Sequence, residues 1–332
     1  MADLDPQADR PHHQQEWVRH AIGQLHDEYA RLDDGAVADY IPELAGADPQ
    51  AFAISVATID GRVLSVGDAS TPFTIQSISK LLVYGLALKT HGRERVMRRV
   101  GVAPTGDRFN AIVLDEHDNR APNPMVNAGA IAITDLVVGS DLDERVEALR
   151  SLYERYVGRR PEVDRRVWES ERATGDRNRA IAYLMRSQGI IDDRVEETLD
   201  LYFAQCSVLV TAEDLALIGA TLANDGVHPV TGEAVIAPAV VRDMLSVALT
   251  CGMYDYAGEW VFTVGIPAKS GVGGGILGVL PGIGGLATFS PPLDEHGHSV
   301  RGVRVFEELS AHFALHLFDP GRPWRRAAPT AP

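Results

Sequence analysis

The sequence has few cysteines and no long apolar run. Only two of its 332 residues are cysteine, Cys206 and Cys251. They are too few for a disulfide framework and lack the Cys-x-x-Cys spacing of a zinc site, so we expect two reduced thiols. The longest uncharged stretch, residues 270–293, contains eight Gly and three Pro. A membrane-spanning helix does not tolerate that composition, and we therefore expect no membrane span.

Basic residues are also in deficit. The chain has 31 Lys plus Arg against 46 Asp plus Glu, which gives a formal net charge of -15. A field of that sign repels phosphate backbones and anionic lipid, so we expect neither a nucleic-acid partner nor a membrane partner. The opening segment MADLDPQADRPHH is acidic where a secretion signal is basic, and no apolar segment follows it. The sequence therefore predicts a cytoplasmic location.

Helical and strand-like patterns follow one another in an order that predicts the fold class. Residues 17–32 have the apolar spacing of an amphipathic helix, and two strand-like runs flank Asp60-Gly61. The middle of the chain is mostly helical. Short β-rich runs (WVFTV, ILGVL and GLATFS) return after Trp260, before a last helix over 303–318. This order predicts an α/β (α+β) fold with an antiparallel sheet built from both chain ends, flanked by helices, and with a helical subdomain inserted.

The same patterns suggest domain boundaries. We assign residues 1–16 to a flexible N-terminal arm, 17–318 to one catalytic domain and 319–332 to a C-terminal tail. Within the domain, the sheet part covers about 17–76 and 255–318, and the helical part covers about 77–254. Pockets tend to form where such parts meet, so we expect the active site between them.

Lysine is the scarcest charged residue, with three among 31 basic residues, at positions 80, 89 and 269. Lysine differs from arginine in that it can lose its proton at an accessible pH. Lys80 follows Ser77 by three positions, and a helix opening at Ser77 would bring its hydroxyl close to the Lys80 amine. Burial together with a second cation, for which we expect Lys269, would lower the pKa of Lys80 far enough to activate a serine nucleophile.

A second motif supports that interpretation. Lys269-Ser-Gly, between two β-rich runs, resembles the Lys-Thr-Gly strand motif that accompanies Ser-x-x-Lys in acyl-serine enzymes. The glycines that follow would let a substrate approach the backbone closely. Ser-x-x-Lys also occurs by chance, and a glycine run is also typical of a turn in a sheet. His312 and His316 lie four apart without a third ligand, so we expect no metal site.

Several segments in the same order resemble the serine-dependent glutaminases, a family of the penicillin-binding and β-lactamase-like superfamily. The resemblance covers roughly residues 40–318. Its carriers are YIPELA (40–45), FTIQSISK (73–80), NPMVNAGAI (123–131), WESE (168–171) with NRAIA (178–182), YFAQCS (202–207), CGMYDYAGEW (251–260) and AKSGVGGGILGVLPG (268–282).

The resemblance implies hydrolysis of L-glutamine to L-glutamate and ammonia through a glutamyl ester on a serine, with a lysine base and no metal or organic cofactor. The catalytic positions it implies, together with the second lysine, are Ser77, Lys80, Tyr254 and Lys269. The substrate-binding positions it implies are Ser77, Asn127, Glu171, Asn178, Tyr202, Tyr254 and Val272.

Chemical roles follow for these positions. Glu171 suits the substrate ammonium, and the amides of Asn127 and Asn178 suit its carboxylate. The backbone N–H groups of Ser77 and Val272 would form an oxyanion hole. Either of the two tyrosines, Tyr202 or Tyr254, would relay a proton to the leaving ammonia, and the sequence leaves that choice open.

The resemblance also suggests a homodimer or homotetramer. Two other functions stay open at this point. The first is another acyl-serine hydrolase, acting on β-lactams or D-alanyl peptides, which would share Ser77, Lys80 and Lys269. The second is an amino acid binder that keeps the cleft but has lost turnover. Release of ammonia from glutamine distinguishes the expected enzyme from both.

Overall fold

The computed structural model describes residues 10–320 except 109, 113 and 115–118. Within these residues, no helix has the length and apolar character needed to cross a bilayer. The α-helices of this part of the chain are α1 (Arg10–Tyr29), α2 (Pro42–Ala45), α3 (Ser79–Met97), α4 (Asn127–Thr134), α5 (Leu142–Val157), α6 (Arg165–Thr174), α7 (Asp176–Ser187), α8 (Val195–Cys206), α9 (Ala212–Ala223), α10 (Pro238–Cys251), α11 (Ala257–Thr263) and α12 (Val300–Phe313).

A five-stranded antiparallel sheet combines the two ends of the described chain. Its strand order is β2-β1-β7-β6-β5, so the first hairpin pairs directly with the last strand. Two further strands, β3 and β4, form a separate short ribbon. The strands are β1 (Ala53–Thr58), β2 (Val63–Gly67), β3 (Phe73–Thr74), β4 (Leu209–Val210), β5 (Ala268–Gly271), β6 (Gly275–Leu280) and β7 (Gly284–Phe289).

Both faces of this sheet are covered by helices. Alternate residues of β6 belong to different cores: Leu277 packs on the side of α3 to α10, and Ile276 packs on the side of α1, α11 and α12. On the first side α9 lies directly against the sheet. A Cβ added to Gly285 would lie 2.1 Å from the carbonyl oxygen of Ala216 on α9. The close approach of helix and strand therefore depends on glycine at this position.

Local signals in the sequence account for several helix ends. Asp141 caps α5 through a bond from the Glu144 N–H to its side chain, and Gly158 ends that helix with φ 79°. Thr211 and Asp214 form a reciprocal capping box at the start of α9. Each cap satisfies backbone groups that the first helical turn cannot pair, and its removal costs about 1 kcal/mol.

The structure differs from the sequence prediction at residues 260–264. The run WVFTV is not a strand, because residues up to Thr263 belong to α11. Trp260 is buried, packs against Phe306 with 5.3 Å between ring centroids and an interplanar angle of 52°, and donates its indole N–H to Ile266 O, whereas Phe262 is 85% exposed. Burial therefore follows a helical period, and tertiary packing overrides the β propensity of Val, Phe and Thr.

Two helix boundaries also differ. Helix α1 already begins at Arg10, inside the segment that we assigned to the N-terminal arm, and residues 1–9 lie outside the described part. The segment RPHHQQE that opens this helix has no large apolar residue, so hydrophobic periodicity could not reveal it. At the other end, α12 stops at Phe313, and Ala314 takes a left-handed conformation with φ 51°. The domain boundaries themselves stay a prediction.

Candidate active site

A cavity of about 290 Å³ lies beside the turn that precedes α3. The predicted residues Lys80, Lys269 and Tyr254 are buried next to it, with at most 6% of their surface exposed. The other predicted site residues line the cavity itself: Ser77, Asn127, Glu171, Asn178, Tyr202 and Val272.

Ser77 sits on a single 3-10 turn, Gln76–Ile78, that leads directly into α3. The residue before it, Gln76, has φ 49°, a left-handed conformation that costs energy for a side chain of this size. Strand β5 and the loop after it run along this turn. A Cβ on Gly271 would lie 2.8 Å from Ile75 O, and one on Gly273 would lie 2.6 Å from Thr74 O. The glycines thus bring the edge of the sheet against the serine turn.

Lys80 is the first link of a buried polar chain. Its Nζ donates to Asn127 Oδ1 at 2.7 Å, and Asn127 Nδ2 donates to Asn178 Oδ1 at 2.9 Å. Burial lowers the pKa of Lys80 to about 8, although the negative charge of Glu171 acts in the opposite direction. A substantial fraction of this amine is therefore neutral in mildly alkaline solution.

Lys269 is a second buried lysine, and its electrostatics are coupled to those of Lys80. Its Nζ donates to Ser270 O at 2.6 Å and lies 3.9 Å from the centroid of the Tyr254 ring. Burial and the charge on Lys80 lower the pKa of Lys269 well below its ordinary value. We expected a cation at Lys269 to lower the pKa of Lys80. In the structure this coupling acts on Lys269, since the charge of Lys80 is one of the causes that lower the pKa of Lys269.

The two candidate tyrosines differ in what they contact. A side-chain hydrogen bond links Tyr254 to Ser77, whereas the corresponding bond of Tyr202 goes to Cys206. Lys80 Nζ is 5.6 Å from the centroid of the Tyr254 ring. Burial raises the pKa of both tyrosines, so both phenols keep their protons. Tyr254 has a left-handed backbone conformation with φ 53°. Gln76, the residue before Ser77, has a similar one, so two left-handed residues lie beside the serine.

Glu171 is the buried carboxylate of the cavity. It comes from α6 and accepts a hydrogen bond from Tyr40 Oη at 2.7 Å, and a second side-chain bond connects it to Gln76. Burial raises the pKa of Glu171, while these bonds and the charge of Lys80 lower it. A buried carboxylate that opens onto a cavity is chemically suited to an ammonium group.

Sequence reasoning missed several residues that line the cavity. Tyr40 and Gln76 both lie in segments that carry the family resemblance, YIPELA and FTIQSISK, so a signal for them existed. Arg177 precedes the predicted Asn178 and donates from Nε to Asn110 O at 2.5 Å. No pattern in the sequence indicated the latter pair, because their contact joins two distant segments.

The described residues contain no group of three or more His, Cys, Asp or Glu side chains placed to hold a metal ion. His312 and His316 do not share a helix face, because α12 ends at Phe313. The second of them bonds instead to Val261 O at 2.8 Å through Nε2. The two histidines therefore do not form a pair of metal ligands on one helix face.

Comparisons with known proteins agree on one family. A sequence model described as "Glutaminase" matches residues 35–318. A glutaminase of Microcystis aeruginosa is 56% identical over 307 residues, which are 92% of this chain and 91% of that protein. A glutaminase of Nostoc sp. is also 56% identical, over 298 residues, which cover 90% of this chain and 89% of that protein.

Solved structures give the same result. A protein described as probable glutaminase ybaS superposes with a TM-score of 0.88 at 38% identity, over 95% of this chain and 99% of that one. The structure of Mglu in its glutamate form superposes with a TM-score of 0.86 at 46% identity, over 90% of this chain and 69% of that one. These similarities cover 90% and 95% of this chain.

Proposed function

From the premise that the chain belongs to the glutaminase family, we propose that Ser77 carries the glutamyl group during its reaction. The resemblance noted in the sequence and the β-lactamase-like fold are both confirmed. The chain hydrolyses L-glutamine to L-glutamate and ammonia. The residue roles below are our proposal, and one observation carries them: Ser77 contacts Tyr254, whose ring lies 3.9 Å from Lys269 Nζ and 5.6 Å from Lys80 Nζ.

The first step is attack of Ser77 Oγ on the side-chain amide carbon of glutamine. The hydroxyl proton passes to the neutral amine of Lys80, because a serine is a weak nucleophile without a base. The backbone N–H groups of Ser77 and Val272 stabilise the negative oxygen that forms. The lowered pKa of Lys80 supports this role, since it places a neutral amine in the site at an accessible pH.

The second step breaks the carbon–nitrogen bond. The leaving nitrogen takes the phenolic proton of Tyr254 and departs as ammonia, and Lys80 returns a proton to the phenolate. A glutamyl ester on Ser77 is the result. Water then attacks the ester, gives its proton through the same groups, and glutamate leaves while Ser77 regains its hydrogen. Protons and atoms balance over the cycle without a redox step.

Substrate orientation comes from the other end of the cavity. The Glu171 carboxylate receives the α-ammonium group of glutamine, with Tyr40 and Gln76 holding the carboxylate in place. Asn178 accepts a bond through Oδ1, which leaves its NH₂ group to donate to the substrate carboxylate. The site then binds both charged groups of a free amino acid and places the amide at Ser77.

Two variants and two matched controls test this scheme. Ser77→Ala and Lys80→Arg each reduce ammonia release from glutamine by at least about 10³-fold, since base and nucleophile act as one unit. Ser246→Ala and Lys89→Arg make the same chemical changes outside the cavity and keep wild-type rates. Thermal unfolding confirms that each variant is folded. Wild-type turnover in folded Ser77→Ala would overturn the assignment of the nucleophile.

The same assay separates the other candidate functions. The wild-type protein releases ammonia from L-glutamine and leaves a chromogenic β-lactam intact. Binding of glutamine without ammonia release would instead indicate an amino acid binder. Hydrolysis of the β-lactam at a comparable rate would indicate the related acyl-serine class.

We further propose a cytoplasmic location and a homodimer or homotetramer. The two cysteines are buried free thiols, which suits a reducing compartment. Phe262 is 85% exposed and Phe318 62% exposed, and large apolar side chains of this kind are enriched at subunit interfaces. Light scattering of the purified protein gives the oligomeric state, and cell fractionation gives the location.

A further inference from the structure

Tyr254 sits on a strained backbone beside Ser77. Its φ of 53° is a left-handed conformation that is rare for a bulky side chain and persists only when neighbouring groups hold it. It lies in the 3-10 turn Tyr254–Tyr256, which connects α10 to α11. The position of its phenol relative to Ser77 thus depends on whatever supports this turn.

His298 contacts that turn in two ways. Its ring lies nearly parallel to the Tyr254 ring, with an angle of 11° and 5.9 Å between centroids. Its Nε2 is 3.2 Å from Met253 O, the carbonyl immediately before Tyr254. Since a carbonyl only accepts, Nε2 carries the hydrogen of the ring. One side chain therefore holds both the backbone and the aromatic ring of Tyr254.

The histidine is itself fixed by a tight turn, residues 294–298. Asp294 Oδ1 accepts the N–H groups of His296 and His298, both at 2.9 Å, and Asp294 N donates to His298 O at 2.8 Å. The loop then enters α12, which Ser299 caps. This support lies at the end of a helix that packs on the sheet, so it provides a rigid base for the ring.

His298 is also uncharged. It is fully buried, and burial together with the nearby charge of Lys269 lowers its pKa to about 3. Its Nδ1 is buried and has no hydrogen-bond partner among the described residues. An unpartnered buried nitrogen destabilises the fold, and a neutral ring adds no positive charge beside the lysine pair. Its contacts to Tyr254 and Met253 are the interactions that hold the ring in this position.

We propose that His298 is a positioning residue that acts through Tyr254, holding the phenol against Ser77 for proton transfer to the leaving ammonia. The proposal rests on the role given to Tyr254 above. His298 is not among the residues that line the cavity, and its contacts to the site are those with Tyr254 and Met253. It affects the chemical step, in which Tyr254 takes part, more than substrate binding, which Glu171 and the asparagines provide.

The test compares replacements that separate the donor from the ring. His298→Phe keeps an aromatic ring and removes the bond to Met253 O, and His298→Leu removes both. Each lowers kcat about tenfold or more with KM for glutamine changed less than about threefold, since a small misplacement of a reacting group is costly. His298→Gln restores an N–H donor at the same reach and keeps kcat within about threefold of the wild type.

His296→Phe is the matched control. This histidine lies on the same turn, stacks on Tyr256 at 5.4 Å and bonds to Asp255. Its replacement leaves kcat and KM within about twofold of the wild type. Wild-type kcat in both His298→Phe and His298→Leu would overturn the proposal, and so would a kcat loss that Gln does not restore. A rise in KM that matches the fall in kcat would also overturn it.

Tyr254→Phe distinguishes failure of this inference from failure of the underlying mechanism. If Tyr254→Phe is inactive while the His298 variants are fully active, only the positioning role is wrong. If Tyr254→Phe itself turns over glutamine at the wild-type rate, the proposed proton relay is wrong and His298 has nothing to position. A lower Tm identifies any His298 variant that folds poorly. The kcat of His298→Gln then tests whether an N–H donor at this position is sufficient to keep Tyr254 in place.

Discussion

The side-chain nitrogen Nζ of Lys269 lies 3.9 Å from the centre of the Tyr254 ring. An aromatic face at this distance favours a positive charge. Burial and the neighbouring charge of Lys80 act against it and lower the pKa of Lys269 well below its ordinary range. We predict that Lys269 is the neutral member of the pair and that Lys80 is the member that titrates, with a pKa of about 8.

The pH dependence of turnover follows from Lys80. Burial lowers its pKa to about 8, and a general base acts only when it is unprotonated. We expect kcat/KM to fall about tenfold for each pH unit below this value and to level off above it. Initial rates of ammonia release at pH values below and above 8 measure this fall of kcat/KM, the acid limb of the pH profile. An acid limb near the ordinary lysine pKa, or a flat profile, would contradict Lys80 as the base.

The charge state of Lys269 is tested by Lys269→Met. A neutral amine has little electrostatic effect on Lys80, so the acid limb of kcat/KM moves by less than about 0.3 pH unit in this variant. The sequence alone suggested the opposite, that a cation at this position lowers the pKa of Lys80. In that case the methionine variant would move the limb upward by a unit or more. The pH profiles of kcat/KM for the wild type and for Lys269→Met, measured in the same buffers, decide between these outcomes.

The question of which tyrosine relays a proton becomes a comparison of two conservative variants. Tyr254 bonds to Ser77, whereas Tyr202 bonds to Cys206. Tyr254→Phe therefore lowers kcat about 10²-fold or more, in the range of general acid catalysis. Tyr202→Phe lowers kcat less than about tenfold, because its side-chain bond goes to Cys206. The reverse order of the two effects would assign the relay to Tyr202.

Local signals in the sequence were sufficient for much of the fold. The hairpin around Gly61, the cap at Asp141 and the capping box at Thr211 all depend on residues within a few positions of one another. The WVFTV run was mispredicted because the choice between helix and strand there depends on distant groups. Trp260 packs on Phe306, which lies 46 residues further along the chain. Short apolar runs do not contain that information.

The candidate site was predictable to a similar extent. Ser77 and Lys80 could be found because their spacing of three is a local pattern, and the family motifs indicated the cavity residues. The bond between Tyr40 and Glu171 joins residues 131 positions apart, and no local pattern reports it. The order in which Lys80 and Lys269 lose their protons depends on burial, a property of the folded chain. Sequence reasoning identified both lysines, and which of the two is neutral stays a prediction that the Lys269→Met profile tests.

Glu171 combines a role in binding with a cost to the fold. Its pKa is raised by burial, which means that the charged carboxylate is less stable in the folded chain than in water. We expect Glu171→Gln to raise KM for glutamine about tenfold or more, because the substrate ammonium loses a charged partner worth about 1.4 kcal/mol or more. Steady-state kinetics measures this change. Glu169→Gln, an exposed position on the same helix, is the matched control and leaves KM unchanged.

The same substitution raises the thermal stability of the folded protein at neutral pH. A raised carboxylate pKa means that the folded chain binds more protons than the unfolded chain, so ionisation of Glu171 opposes folding at every pH above its folded pKa. The uncharged side chain of Glu171→Gln has no ionisation that opposes folding, so the Tm of this variant is higher than that of the wild type at neutral pH. The gain shrinks as pH falls through the folded pKa of Glu171 toward its ordinary value, because the wild-type carboxyl is then neutral as well. Calorimetry of both proteins across this range tests the sign, and a lower Tm for Glu171→Gln at neutral pH would show that the bonds from Tyr40 and Gln76 outweigh the burial of the charge.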